Sequence, residues 1–137
     1  MNPRQPKLAV DCIIRVGDKV LLIHRRNEPV GWALPGGFVE YGETVENAVR
    51  REMREETGLE LADLEQFRVY SDPERDPRGH TVSVVFTARG IGQPNAGDDA
   101  DRFRLASVEE LHPDELVFDH FRILQDFARG RGRAQAG

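Results

Sequence analysis

Three carboxylates, Glu52, Glu55 and Glu56, fall within five residues of one another in the stretch GFVEYGETVENAVRREMREETGL, residues 37–59. On a helix starting near Thr44, Val45, Ala48 and Val49 share the stripe that a helix turns toward a core. One turn further on, that stripe meets Glu52, Glu55 and Glu56, with Met53 at its edge. The outward positions, Glu46, Asn47, Arg50 and Arg54, carry ordinary solvent chemistry. Carboxylates gathered on a partly desolvated face repel one another and lose hydration. Protonation relieves this, but a bound divalent cation does so with the charges kept, and hard oxygen ligands suit Mg²⁺ or Mn²⁺. Taken from RREMREE alone, a solvated Glu-rich helix face would be the better reading.

The residues before the helix change the balance. They read Trp32-Ala33-Leu34-Pro35-Gly36-Gly37-Phe38. Pro35 ends a short extended run, and the glycine pair permits a sharp turn or a close backbone approach. A glycine-rich turn feeding a helix brings main-chain groups to a phosphate or a metal. The whole stretch resembles the signature of the Nudix hydrolases. Gly37 is followed after five residues by Glu43, and after seven more by Arg51-Glu52-Met53. Glu55-Glu56 and Gly58-Leu59 then follow at one-residue gaps, so every defining position is filled. The LPGG before it also looks like the family.

These residues need elements to hold them. Thr44 is the expected N-cap and Gly58 the expected left-handed stop, giving a helix to about Thr57. Glu43 and Arg51 are read as an ion pair that ties the preceding loop to the helix and keeps the glutamates in register. Upstream, Leu8, Val10, Cys12, Ile14 and Val16 alternate onto one face of a strand. Gly17-Asp18 turns the chain, and Lys19 to Arg25 returns as a strand that is apolar on both faces. Downstream, a connection over 61–64 leads to strand 65–70, a loop over 71–79 and a strong strand over 80–88. A glycine-rich acidic loop over 89–101 precedes a short strand at 103–106 and a single turn at 108–111 capped by Ser107. A second helix, 119–129, is capped by Asp119, presents Phe121, Leu124, Phe127 and Ala128 to a core, and ends at Gly130. A mixed sheet with a helix on each face buries both amphipathic helices. This α/β/α sandwich is also what the Nudix resemblance implies.

A chain of 137 residues supports one domain with one core. We expect it over residues 8–129, between a loose segment 1–7 and a disordered tail 130–137. The net charge of −5 argues against general nucleic-acid or membrane binding, so an anionic substrate would need local positive charge or metal ions. Cys12, the one cysteine, excludes an internal disulfide and reads as a small core residue. With no signal peptide and no bilayer-length apolar run, a cytoplasmic protein is expected.

The loop and strand SDPERDPRGHTVSVVF resemble the Nudix subgroup of ADP-ribose pyrophosphatases. The residues themselves make a modest case for substrate contact. Arg25 or Arg26 at a strand exit, and Arg75 and Arg78 in the loop, are placed to meet phosphate or ribose oxygens. Asp76 and His80 are candidates for a sugar or base, although Asp76 and Arg78 could instead pair and stiffen a turn. The resemblance also implies a late carboxylate, for which Asp98, Asp99 and Asp101 are candidates; Arg102 stands where the related pattern often has glutamate. It further implies that Glu52, Glu55, Glu56 and the Gly36 carbonyl hold one to three Mg²⁺ or Mn²⁺. Such ions neutralise a diphosphate and acidify a water, a carboxylate takes its proton, and ADP-ribose yields AMP and ribose 5-phosphate. The runner-up substrates are oxidised or ordinary nucleoside triphosphates and dinucleoside polyphosphates. A reading from another class is a sensor that binds ADP-ribose without cutting it; such proteins usually carry an added DNA-binding domain, for which this chain ends too soon. A homodimer stays open.

Overall fold

The computed structural model describes residues 4–94 and 102–136, the side chains of 131–136 excepted. Asp98, Asp99 and Asp101 therefore lie outside the described residues, as do residues 1–3 and 137 of the two terminal segments. Among the described residues, seven strands and two α-helices follow one another. Strands β1 (Lys7–Val16) and β2 (Lys19–Arg25) form the hairpin expected from Gly17, whose φ is +64°. Short strands β3 (Gly31–Ala33) and β4 (Gly36–Phe38) lead to helix α1 (Val45–Thr57). Then come β5 (Glu60–Tyr70), β6 (Thr81–Ile91), β7 (Phe103–Ala106) and helix α2 (His120–Ala136). All seven strands join one sheet in the order β3-β2-β1-β6-β5, with β4 added to β1 and β7 to β2. β1 and β6 run parallel and the other pairs antiparallel, so the sheet is mixed.

Alternation along the central strands sorts the core into two layers. Val10, Cys12, Ile14, Leu21, Phe86 and Ala88 pack against Ala48, Val49 and Met53 of α1. Ile13, Val20, Leu22 and Val85 pack on the other face against Ile123, Leu124 and Phe127 of α2. This is the helix–sheet–helix sandwich that two amphipathic helices require. Thr44 caps α1 by accepting from the Asn47 amide at 3.1 Å, and Gly58 ends it at φ +74°.

Two local expectations need correction, and one open alternative is decided. Residues 61–64 are not a connection: β5 runs through them, and Asp63, at φ +55°, sits in a bulge that shifts the register against β6. Of the two readings of the glycine pair, a sharp turn or a close backbone approach, the structure has the second: the pair lies in strand β4, alongside Ala9–Asp11 of β1. Finally, α2 continues past Gly130 to Ala136. Glycine in a helix costs about 1 kcal/mol relative to alanine, which weakens a helix without ending it.

Candidate active site

β1 changes partners along its length, from β2 at Arg15 and Val16 to β4 at Ala9–Asp11. The Gly36–Gly37 backbone therefore stands between the two faces of the sheet. A Cβ on Gly37 would lie 2.2 Å from the Glu52 carboxyl carbon on the α1 side. A Cβ on Gly36 would lie 2.1 Å from Asp11 Oδ1 on the other. Side chains at either position would push the two carboxylates away, so the close approach requires glycine.

On the α1 side the three glutamates are graded rather than equivalent. Glu56 reaches inward, and its Oε2 accepts from the Gly36 amide at 3.1 Å. Burial pushes its carboxyl up to about 7; the Gly36 amide and the charge of Arg102 counter this, while Glu52 and Asp11 add to it. Glu52 is partly buried, and burial raises its carboxyl too, against the pull of Arg51. Glu55 does not turn inward: its side chain is 63% exposed and meets Arg51 Nη1 at 3.3 Å. The reason is rotational. The buried face of α1 drifts toward Met53 and Thr57, both fully enclosed, which carries Glu55 to its outer flank. Met53 is thus a core residue and not an edge. Among the described residues no three His, Cys, Asp or Glu side chains converge to hold a metal ion. Donor chemistry nonetheless fits a hard divalent cation: two half-buried carboxylates, both destabilised as anions, stand beside a backbone that can approach closely. Arg51 Nη1, 2.8 Å from Glu52, supplies the positive charge that Glu52 and Glu55 share.

The expected Glu43–Arg51 pair is present and two-pronged, Nε to Oε2 at 2.6 Å and Nη2 to Oε1 at 2.9 Å. Arg51 also donates to the Phe38 carbonyl, and Glu43 accepts from the Glu40 amide. The Arg51 hydrogen bonds pull the Glu43 carboxyl down to about 2. This clamp fixes β4 and the following loop to the middle of α1.

On the α2 side, Gly36 and Gly37 wall a cavity of about 190 Å³ that also takes in Asp11, Arg25, Phe118 and His120. Arg25 lies over the Phe118 ring at 5.1 Å and Arg78 over the same ring at 5.2 Å. Burial and the neighbouring Arg78 charge lower the Arg25 guanidinium below its usual range. Arg78 lines the cavity but grips Asp76 through Nε at 3.1 Å and Nη2 at 2.9 Å. Burial alone would raise Asp76, and its hydrogen bonds from Arg78 bring it below the ordinary value. Arg75 also lines the cavity, but its side chain is only 4% exposed and makes two bonds to Asp119 at 2.9 and 2.7 Å and one to the Thr81 carbonyl. Asp119, expected as a helix cap, instead turns its carboxylate to that guanidinium. His80 is exposed, its Nε2 3.0 Å from the Ser71 carbonyl, and it faces a neighbouring recess with Arg4 and Lys7. Arg26 and Arg102 line a further recess with Arg25 and Glu56. The structure thus gathers Arg25, Arg75 and Arg78 at one cavity, Arg75 and Arg78 each paired to an aspartate, and places His80 at the neighbouring recess.

Asp11, Phe118 and His120, which also line the cavity, were not singled out from the sequence. Asp11 lies on the face of β1 opposite Val10 and Cys12, and a lone carboxylate between those two apolar residues is itself a signal. Phe118 stands at φ +57°, and its place opposite Arg25 has no sequence signal. His120 was hidden behind the helix start at Asp119.

The family model described as NUDIX domain matches residues 5–127. The chain is 50% identical over 127 residues to an ADP-ribose pyrophosphatase of Methanocaldococcus jannaschii, covering 90% of this chain and 74% of that protein. It spans only about half the length of other curated relatives it matches, 54% and 48% of two of them. A MutT/nudix family protein from Enterococcus faecalis superposes with a TM-score of 0.79 at 34% identity, over 94% of this chain and 63% of that one. The NUDIX domain of Shewanella oneidensis NrtR, solved in complex with ADP ribose, gives 0.72 at 29% identity, over 93% and 89%. Among the described residues no helix is long and apolar enough to cross a membrane.

Proposed function

The chain belongs to the Nudix family, and from that premise we propose that it hydrolyses the diphosphate of ADP-ribose to AMP and ribose 5-phosphate. The observation that carries this is an adjacency. One backbone segment, Gly36–Gly37, walls the cavity on one side and is touched by Glu56 and Glu52 on the other. A diphosphate at that segment would have a basic, aromatic cavity for one flank and acidic ligands at the other. Similarity to the M. jannaschii ADP-ribose pyrophosphatase supports the substrate.

Glu52, Glu56 and the Gly36 carbonyl would hold a divalent cation, Mg²⁺ or Mn²⁺, with Glu55 joining once it leaves Arg51. When bound, such ions neutralise the diphosphate and acidify the attacking water. Arg25 brings a positive charge to the phosphate side of the cavity. A glutamate not fully engaged as a ligand takes the water proton, water attacks one phosphorus, and the other phosphate leaves with the bridging oxygen. Arg51 and Glu43 keep the glutamates in register.

A substrate panel with and without Mg²⁺ or Mn²⁺ tests this. ADP-ribose should be cleaved only with metal and in preference to nucleoside triphosphates, oxidised triphosphates and dinucleoside polyphosphates. A preference for triphosphates would overturn the substrate assignment, and tight ADP-ribose binding without cleavage would make the chain a sensor.

A further inference from the structure

His120 is 3% exposed and Asp11, in the middle of β1, is nearly as enclosed. Both line the cavity. The Leu34 amide donates to His120 Nδ1 at 2.9 Å. That bond requires a lone pair on Nδ1, so the ring is neutral with its proton on Nε2. Burial, which lowers the imidazole pKa, favours the same form. On the other side, the Ser83 hydroxyl donates to Asp11 Oδ2 and leaves Oδ1 to face the ring. Nε2 and Oδ1 are 4.0 Å apart. This is beyond a hydrogen bond, yet it is the separation at which a third group can accept from one and donate to the other.

We infer that Asp11 Oδ1 and His120 Nε2 form a donor–acceptor fork, which reads a neutral nucleoside group able to accept one hydrogen bond and donate one. A ribose hydroxyl and the amino edge of adenine share that chemistry. Phosphate does not: the Asp11 carboxylate repels it and offers it no proton. The fork therefore orients the ligand, neutral nucleoside inward and phosphates toward Gly36–Gly37 and Arg25. Every other polar atom of the fork is held by protein: Nδ1 by Leu34 and Oδ2 by Ser83. Gly36, which has no side chain to displace Oδ1, completes the arrangement. The role deepens the proposed ADP-ribose activity and rests on it.

The test pairs variants with ligand analogues. Asp11→Asn keeps an oxygen for Ser83 and turns the facing atom into a donor. His120→Asn keeps an acceptor for Leu34 and removes Nε2. Wild-type protein and both variants are assayed with ADP-ribose, with analogues lacking one ribose hydroxyl at a time, and with the hypoxanthine analogue. One analogue should lose roughly 10- to 100-fold in kcat/KM with wild-type protein, and little further in either variant, because the partner is already gone. A deoxy analogue behaving this way identifies a ribose hydroxyl, and the hypoxanthine analogue identifies the base. If every analogue's loss simply adds to the variant's loss, the residues are structural and the fork is overturned. No cleavage of ADP-ribose by wild-type protein would overturn the substrate reading and this inference with it; normal cleavage with additive losses overturns the fork alone.

Discussion

Glu56→Gln should inactivate the protein and at the same time make the metal-free form more stable. Glu56 carries a charge in a place that disfavours it: its carboxyl is raised from 4.5 to about 7, mainly by burial. The folded chain thus keeps a proton that the unfolded chain releases between pH 4.5 and 7. Its contribution is favourable below the unfolded value and is lost as pH rises through the folded one. A shift of that size corresponds to about 3 kcal/mol at pH 8. Glutamine carries no charge at any pH, and its carbonyl oxygen can still accept from the Gly36 amide. For a domain of this size, roughly 3 °C accompanies each kcal/mol. In EDTA at pH 8 the variant should therefore melt about 8–10 °C above wild type, and at pH 4.5 the two should melt together. Adding Mn²⁺ should close the gap from the other side: it should stabilise wild type by about 2.7 kcal/mol at a hundredfold excess over Kd, raising its melting temperature by roughly 8 °C, and leave the variant almost unmoved. Differential scanning fluorimetry across pH, with and without metal, reads all four quantities. A variant that melts at or below wild type in EDTA at pH 8 would refute the claim that Glu56 stores electrostatic strain for a cation.

Gly37→Ala places a methyl 2.2 Å from the Glu52 carboxyl carbon, so turnover should fall by at least tenfold while circular dichroism stays native, since a flexible side chain can swing aside. Asp119→Ala leaves the buried Arg75 guanidinium without its anion and should cost about 3–5 kcal/mol in urea denaturation; a loss under 1 kcal/mol would show the pair to be weakly coupled. Met53→Ala empties a fully buried site in the α1 core and should cost about 2–5 kcal/mol by the same measurement, far more than Glu55→Ala on the exposed flank. Arg102→Glu replaces a cation beside Glu56 by an anion, so Mn²⁺ should bind several-fold more tightly in a paramagnetic titration, and weaker binding would count against metal at Glu56.

How much of this was legible in the chain depended on range. Local rules sufficed for α1: Thr44 and Gly58 bound it, and the run from Val45 to Val49 gave its inward face. The same local spacing paired Glu43 with Arg51, set the alternation of β1 and marked β2 as apolar on both faces. The hairpin and the two-layer core followed, because strands apolar on both faces must be covered twice. Local reasoning failed where small rotations or long-range partners decided the outcome. Helical spacing alone put Glu52, Glu55 and Glu56 on one stripe; the packing of Met53 and Thr57 against the sheet turned Glu55 out. Loop composition offered Arg75 and Arg78 as phosphate ligands, with Arg78 slightly preferred, yet Asp119, 44 residues away, claimed the first and Asp76 the second.

The orientation of Asp11 and His120 in the cavity was beyond the reach of local rules. His120 takes its proton position from the Leu34 amide, 86 residues away, and Asp11 takes its orientation from Ser83, 72 residues away. The amino-acid sequence by itself determined a metal-compatible helix and the frame to carry it, because capping, periodicity and charge pairing act between near neighbours. Only the folded arrangement decided which carboxylates face inward and what stands opposite them, because hydrogen bonds between distant strands and helix ends exist only once the sheet has closed between its two layers.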